Sequence, residues 1–196
     1  MASARPSFDP PAEPGRVILL NGASSAGKST LGRAIQAGAD RPFLRFSPDL
    51  ILFGGQVLPA RRQPEGPFSW REMRPKVFEG YWRCLPALAG AGNDLIADLV
   101  LETPGQLRRL VEVLHGLDVF FVGVHCPLPE LERRERQRGD RGTGDARRDF
   151  ETTHTFAPYD LEVDSTRPAE LVAAAVLRAW RERERPSVFE RLAATL

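Results

Sequence analysis

The stretch Gly22-Ala23-Ser24-Ser25-Ala26-Gly27-Lys28-Ser29-Thr30 fits the spacing G-x-x-x-x-G-K-[ST] and limits what this chain can fold into. Before it, Arg16-Val17-Ile18-Leu19-Leu20-Asn21 reads as a buried strand, and after it Leu31-Gly32-Arg33-Ala34-Ile35-Gln36 reads as the first turns of a helix. A strand, a glycine loop and a helix in that order form the start of a parallel crossover unit. Glycines at 22 and 27 allow backbone angles and a closeness of approach that a Cβ would block. The loop amides and the helix N-terminus then face an anion, and a nucleotide's phosphates are the natural one. On this reading the nucleotide contacts fall to Gly22, Ser24, Ser25, Ala26, Gly27, Lys28, Ser29 and Thr30. Lys28 would reach the β- and γ-phosphates, and the Ser29 hydroxyl would sit on Mg²⁺. Lys28 is one of two lysines, with Lys76, in a chain whose other basic residues are arginine. The plainer alternative is a glycine-rich turn that caps a helix.

Along the rest of the chain, strand and helix patterns alternate. Residues 42–47 read as a second strand. Ser47-Pro48-Asp49 then starts a helix, with Ser47 at the cap and Pro48 at the first position. Residues 54–68 are rich in Gly, Pro and Arg and read as a loop. A helix follows from Ser69 to Ala89, with Pro75 expected in its first turn and Pro86 at its end. Its face of Phe78, Tyr81, Trp82 and Leu85 suits the core, and part of it could line an acceptor pocket. Residues 94–101 and 118–126 are the third and fourth strands, and 159–164 a short fifth. Helices fill the gaps, with Ser165-Thr166-Arg167-Pro168 expected to cap the one that starts near Ala169. The alternation predicts an α/β three-layer sandwich of P-loop kinase type, a five-stranded parallel sheet with helices on both faces. Residues 1–15, with four prolines, are expected to be a disordered tail, and 16–196 a single domain with an Arg-rich lid at about 133–154.

Whole-chain properties narrow the class. Net charge is +1, so bulk charge selects no polyanionic partner. Cys84 and Cys126 lie far apart without a C-x-x-C pair and read as packing residues, which fits a reducing cytoplasm. No apolar run approaches the length of a membrane span, and the N-terminus lacks an apolar signal core. The basic helix lacks interleaved aromatics, so nucleic-acid binding is poorly supported.

Three further features bear on chemistry. Asp49 follows the second strand, where a carboxylate could take the proton of an attacking hydroxyl or simply favour a helix start. Asp98 stands inside the apolar third strand, and a buried carboxylate needs a partner. It could hold a Mg²⁺-bound water or the acceptor, or be a structural group bonded to the loop or an arginine. Arg134 and Arg138 share a helix face, with Arg141 in the glycine-bracketed break beyond. Arginines beside a hinge could close over the phosphates. The alternative is a solvated face with Glu132 and Glu135 as ion-pair partners. His115 and His125 read as structural, and His154 could approach the site from the lid side.

Leu20–Ser29, then Val122-Gly123-Val124-His125-Cys126, Arg134-Glu135-Arg136-Gln137-Arg138-Gly139-Asp140-Arg141 and Tyr159-Asp160-Leu161-Glu162-Val163-Asp164-Ser165-Thr166 together resemble the chloramphenicol phosphotransferase family. The resemblance implies an ATP-dependent kinase that phosphorylates a hydroxyl of a small molecule, an antibiotic being the named example. It implies Asp49 as catalytic base, Lys28 and Ser29 as nucleotide and Mg²⁺ ligands, and Arg134, Arg138 and Arg141 as phosphate-facing lid residues. Ala97 stands where the family tends to carry a second aspartate beside Asp98, and residues 54–92, which should shape the acceptor pocket, show little likeness. Two other readings remain open: a toxin-type kinase of a nucleotide sugar or nucleoside, and a nucleotide-dependent, RNA-associated ATPase switch.

Overall fold

Alternating side chains on three central strands build two cores, one on each face of a parallel sheet. The computed structural model describes residues 13–54, 57–138 and 144–196. In chain order the elements are β1 (Val17–Asn21), α1 (Lys28–Gly38), β2 (Phe43–Phe46), α2 (Pro48–Leu52), α3 (Trp70–Gly90), β3 (Asp94–Leu99), α4 (Pro104–Val113), β4 (Val119–His125), α5 (Leu128–Arg138), α6 (Asp145–Thr152), β5 (Leu161–Asp164), α7 (Ala169–Glu182) and α8 (Val188–Ala193). The five strands are all parallel, in the order β2-β3-β1-β4-β5.

Val17 and Leu19 of β1, Leu95, Ala97 and Leu99 of β3, and Val119 and Phe121 of β4 point to one face, against Tyr81 and Leu85 of α3, Leu107 and Leu110 of α4 and Phe189 of α8. Ile18, Leu20, Ile96, Phe120 and Val122 point to the other, against Leu31 and Ile35 of α1 and Val172, Val176 and Leu177 of α7. β1 therefore alternates between two buried faces and shows no polar side, as a central parallel strand must. Parallel pairing also brings every strand's C-terminal end to one edge. There Asn21 is level with Leu99 and Gly123.

Local signals set the helix starts. Ser47 caps α2 through the Asp49 amide, with Pro48 at the first position, and Ser69 caps α3 through the Glu72 amide. The structure differs from expectation at several points. Pro75 and Pro86 both lie inside α3, which continues to Gly90. Burial of Tyr81, Leu85 and Ala89 on one stripe carries the helix through the missing amide bonds. Ser165 and Thr166 do not cap α7: its cap position is Pro168, with no side-chain bond, and Thr166 instead bonds Asp164. Cys84 is exposed, so only Cys126 packs as expected. The expected tail lies outside the described residues as far as Ala12, while Gly15 is buried and its amide donates to the Ala89 carbonyl at 2.8 Å.

Tyr81 joins the sheet to the site above it. Its hydroxyl donates to the Phe46 carbonyl at 2.9 Å and lies 3.0 Å from the Asp98 carbonyl, and the side chain is fully buried. These are the strand ends that lead to Asp49 and carry Asp98. Tyr81→Phe should therefore destabilise the fold by about 1–3 kcal/mol, read as a lower urea midpoint at unchanged m-value. An unchanged midpoint would mean that neither bond contributes.

Candidate active site

The loop between β1 and α1 is held in a conformation that leaves most of its amides without partners. Gly27 has φ 87° and Ser25 φ 64°, the one positive φ at a non-glycine among the described residues. Such a residue costs on the order of 1–3 kcal/mol and persists only where its surroundings fix it. A Cβ on Gly22 would lie 2.5 Å from the Val124 carbonyl oxygen, so the loop can leave β1 beside β4 only with glycine there. The Ala26 amide closes a turn onto the Ala23 carbonyl at 3.1 Å. The amides of Ser25, Gly27, Lys28 and Ser29 find no acceptor among the described residues. Unpaired amides at a helix N-terminus suit an anion with several oxygens.

Lys28 is buried beneath them. Its ammonium donates to the Gly22 carbonyl at 2.7 Å and the Ala23 carbonyl at 2.8 Å. Burial pushes its pKa down, and the charges of Asp98, Asp149 and Asp49, in that order, push it back up. Asp98 is also buried. Its pKa is raised by desolvation, opposed first by Lys28 and then by a hydrogen bond from Ser47. Asp49 sits in the first turn of α2, and its carboxylate meets Arg138 of α5 at 3.5 Å. Lys28, Ser29, Asp49, Asp98, Arg134 and Arg138 all line one cleft of about 1250 Å³ at the C-terminal edge of the sheet. That exceeds the ~300–1,000 Å³ typical of a pocket for one drug-sized ligand.

Arg134 bonds Glu130 at 2.7 Å and the Ser165 carbonyl at 3.0 Å, and its guanidinium would stand 3.2 Å from a Cβ on Gly27. It is thus held against the phosphate loop. The expected ion-pair partners of the basic helix are rearranged. Arg133 pairs with Glu130, and Glu132 pairs with Arg147 at 2.6 Å. Glu135 accepts the amides of Gly144 and Ala146 at 3.0 and 2.9 Å, serving as a cap for α6. Arg141 lies outside the described residues. Thr30 lies at the cleft with its hydroxyl taken by Arg33, and Ala26 faces the core, leaving its backbone alone for any ligand.

A magnesium ion usually takes one or two protein oxygens, several waters and the phosphates of its nucleotide. Among the described residues no group of three or more His, Cys, Asp or Glu side chains could hold a metal. Ser29 and Asp98, facing the same cleft as the amide cradle, are the donors that fit an ion carried in with a nucleotide.

Sequence reasoning missed several groups at this site. Asp149 of α6 is buried and accepts the Ser24 amide at 3.0 Å, and nothing in the R-R-D-F run marked it. Asn21 donates to the Tyr159 hydroxyl at 2.8 Å and accepts the Leu101 amide at 3.0 Å, tying the end of β1 to β3 and to the segment before β5. Trp70, Arg74 and Phe78 occupy successive turns of α3 and line the far wall of the cleft with Leu58 and Glu102. Arg74 bonds Glu102 at 2.7 Å and lies over the Phe78 ring. Phe78 thus serves both core and cleft, as one of the two expectations for it required.

His154 does not line the cleft. It stacks on His125 at 3.9 Å between ring centroids, and its Nδ1 lies 2.8 Å from the Tyr159 hydroxyl.

The arrangement is that of the P-loop kinase fold: a glycine loop with unpaired amides at the end of a central parallel strand, Asp98 on the adjacent strand, Asp49 after the strand beyond it, and Arg134 and Arg138 at the same cleft. Residues 15–181 match the model of the chloramphenicol phosphotransferase-like protein family, and the chain belongs to that family. A Mycobacterium tuberculosis protein provisionally named an O-phosphotransferase is 32% identical over 197 residues, 91% of this chain and 88% of that protein. Among solved structures, the Mycobacterium tuberculosis APS kinase in complex with AMPPNP and APS superposes with TM-score 0.65 at 17% identity, covering 86% of this chain and 99% of that one. Shikimate kinase from Aquifex aeolicus gives 0.54 at 17% identity, covering 85% and 96%. These likenesses place the fold among P-loop kinases, and with the family they make the protein one of phosphotransferase type. No helix among the described residues is long and apolar enough to cross a membrane.

The histidine pair gives a pH test of the site's support. Burial, then the neighbouring His125, pushes the His154 pKa down to about 4. Above pH 6.5 the ring is neutral folded or unfolded and contributes nothing. Below it the unfolded chain takes a proton that the folded one refuses, so stability falls until about pH 4. With the ring only partly buried, the expected loss is on the order of 1–2 kcal/mol. Urea titrations at pH 7 and pH 4.5 should show it in the wild type, and His154→Asn should flatten the difference.

Proposed function

We propose that this protein is an ATP-dependent O-phosphotransferase that moves the γ-phosphoryl group to a hydroxyl of a small molecule. The observation that carries the reading is the meeting in one cleft of acceptor-less loop amides, Lys28, Ser29, Asp98 and Asp49. On this reading Gly22 and Ser24 to Thr30 hold the nucleotide's phosphates, with Lys28 turning from the loop carbonyls to the β- and γ-oxygens. Mg²⁺, held by Ser29 and through water by Asp98, would neutralise phosphate charge.

Asp49 is the base. As the acceptor oxygen bonds to the γ-phosphorus and the bond to the bridging β–γ oxygen breaks, the hydroxyl proton passes to the Asp49 carboxylate and ADP leaves. Arg138, already beside Asp49, and Arg134, beside Gly27, are placed to take the charge on the transferring group. Arg141, outside the described residues, is proposed as a third arginine for the phosphates.

The acceptor lies between Asp49 and the wall of Trp70, Arg74, Phe78 and Glu102. Its aromatic rings and neutral Arg74–Glu102 pair suit an uncharged organic molecule, and chloramphenicol is the first to try. A cytoplasmic setting fits a reaction that draws on ATP.

Incubation with Mg-ATP and a panel of hydroxyl-bearing antibiotics, nucleosides and nucleotide sugars, read by mass spectrometry, should show one acceptor gaining a phosphoryl group. Asp49→Asn should lower that turnover about 10²–10⁴-fold while ADP still binds. Trp70→Ala should raise the acceptor's KM about tenfold and leave that of ATP unchanged. Wild-type turnover in Asp49→Asn would remove Asp49 as the base.

A further inference from the structure

Asp149 is a buried carboxylate that the reaction above does not use. It lies in the middle of α6, which comes after the arginines of α5 in sequence. Its Oδ2 accepts the Ser24 amide at 3.0 Å and its Oδ1 meets Arg148 at 3.3 Å. Ser24 directly precedes Ser25, the residue in the left-handed region. The amides of Ser25, Gly27, Lys28 and Ser29 are left without acceptors among the described residues, whereas this one is taken by a side chain 125 residues away in sequence.

We infer that Asp149 is a positioning residue for the phosphate loop: by accepting the Ser24 amide it fixes the strained turn at Ser25 and so holds the remaining amides in the shape that receives phosphate. The inference rests on reading the loop as a nucleotide site.

The support for α6 makes this contact firm. Glu135 of α5 caps α6 through the Gly144 and Ala146 amides, Arg147 pairs with Glu132, and the Thr153 carbonyl just beyond α6 accepts from the Asn21 side chain at 3.4 Å. The helix is thus pinned to α5 at one end and to the base of the loop at the other. A charge at this place also has a cost. Asp149 faces Arg148, Lys28 and Glu102, and burial raises its pKa against the pull of the first two and the Ser24 amide. Phosphates arriving at the loop add negative charge nearby. For the shape of the loop, residue 149 is needed for its oxygen acceptor, which an asparagine can also supply, while Lys28 keeps the Gly22 and Ala23 carbonyls and Asp98, the foremost of its charged partners.

Three proteins test the inference: wild type, Asp149→Asn and Asp149→Ala, with Asp149→Ser, polar but too short to reach Ser24, used in place of the alanine variant if that one fails to fold. Amide hydrogen exchange by NMR on nucleotide-free protein reads the Ser24 amide, and calorimetric titration with ADP reads the cradle. Loss of the acceptor should speed Ser24 exchange about tenfold or more, with exchange in β1 unchanged, and weaken ADP about tenfold. Asp149→Asn should keep both at wild-type level, or bind ADP more tightly. Unchanged Ser24 exchange in the alanine or serine variant overturns the inference. So does an asparagine variant that behaves like alanine, because the charge would then be the requirement. If none of the proteins, wild type included, binds ADP, the nucleotide reading falls, and the exchange comparison still decides what holds Ser24.

Discussion

One buried ammonium group governs the site. Lys28 begins a helix under a loop of unpaired amides, and its charge sits where solvent hardly reaches. A buried cation persists only with compensation. Two loop carbonyls supply it at hydrogen-bond distance, and Asp98, Asp149 and Asp49 supply it as charge from three different elements. Each of those carboxylates has its own reason to be in place: Asp98 is carried by the central strand β3, Asp149 holds the Ser24 amide, and Asp49 meets Arg138. Removing the lysine would leave buried acids facing one another across the cleft. The site is a charge arrangement with Lys28 as its common partner, and on the proposed function a phosphate-bearing ligand would enter it as a further anion.

The sheet makes that arrangement possible. Parallel pairing delivers the ends of β1, β2 and β3 to one edge, so residues far apart in sequence, Lys28, Asp49 and Asp98, reach one place without any loop having to find it. Tyr81 underpins two of those ends from below, with its hydroxyl between the Phe46 and Asp98 carbonyls. The groups that would carry transfer chemistry stand on short turns from rigid strands. The far wall, by contrast, comes from α3 and from the stretch around Leu58, where side chains can change without disturbing the sheet.

That contrast explains what was legible in the sequence. The loop was legible because its signal is local: two glycines, one lysine, and flanks of opposite periodicity. Ser47-Pro48-Asp49 was legible for the same reason, as a cap and first turn within three residues. The strands were legible because β1, β3 and β4 are buried on both faces and read as nearly unbroken apolar runs. Asp149 was not, since an acid between arginines and Phe150 looks like any solvated helix residue, and its partner is an amide with no side-chain signature. Pro86 does not end the helix, because its local cost is outweighed by the burial that Tyr81, Leu85 and Ala89 gain as the helix continues, a gain that no local signal shows. Trp70 and Arg74 carry no such signal, because the stripe that faces the cleft starts two turns before the one that faces the core.

The histidine–tyrosine cluster and Asp149 together show how the basic helix is tied to the loop. Asn21 ends β1 one residue before the loop and reaches Tyr159 and the Thr153 carbonyl; His154 braces that same tyrosine; Asp149 holds Ser24 from the preceding turn of α6. Both ends of the sequence Asn21–Ser24 are thus fastened to the α6 side of the molecule, while Gly27 faces Arg134 of α5. Because Glu135 and Glu132 lock α5 to α6, a displacement of either helix pulls on the phosphate loop at two points. Arg134 and Arg138 of α5 and the amides of the loop are therefore joined through α6, so that the two sides of the cleft move as one unit.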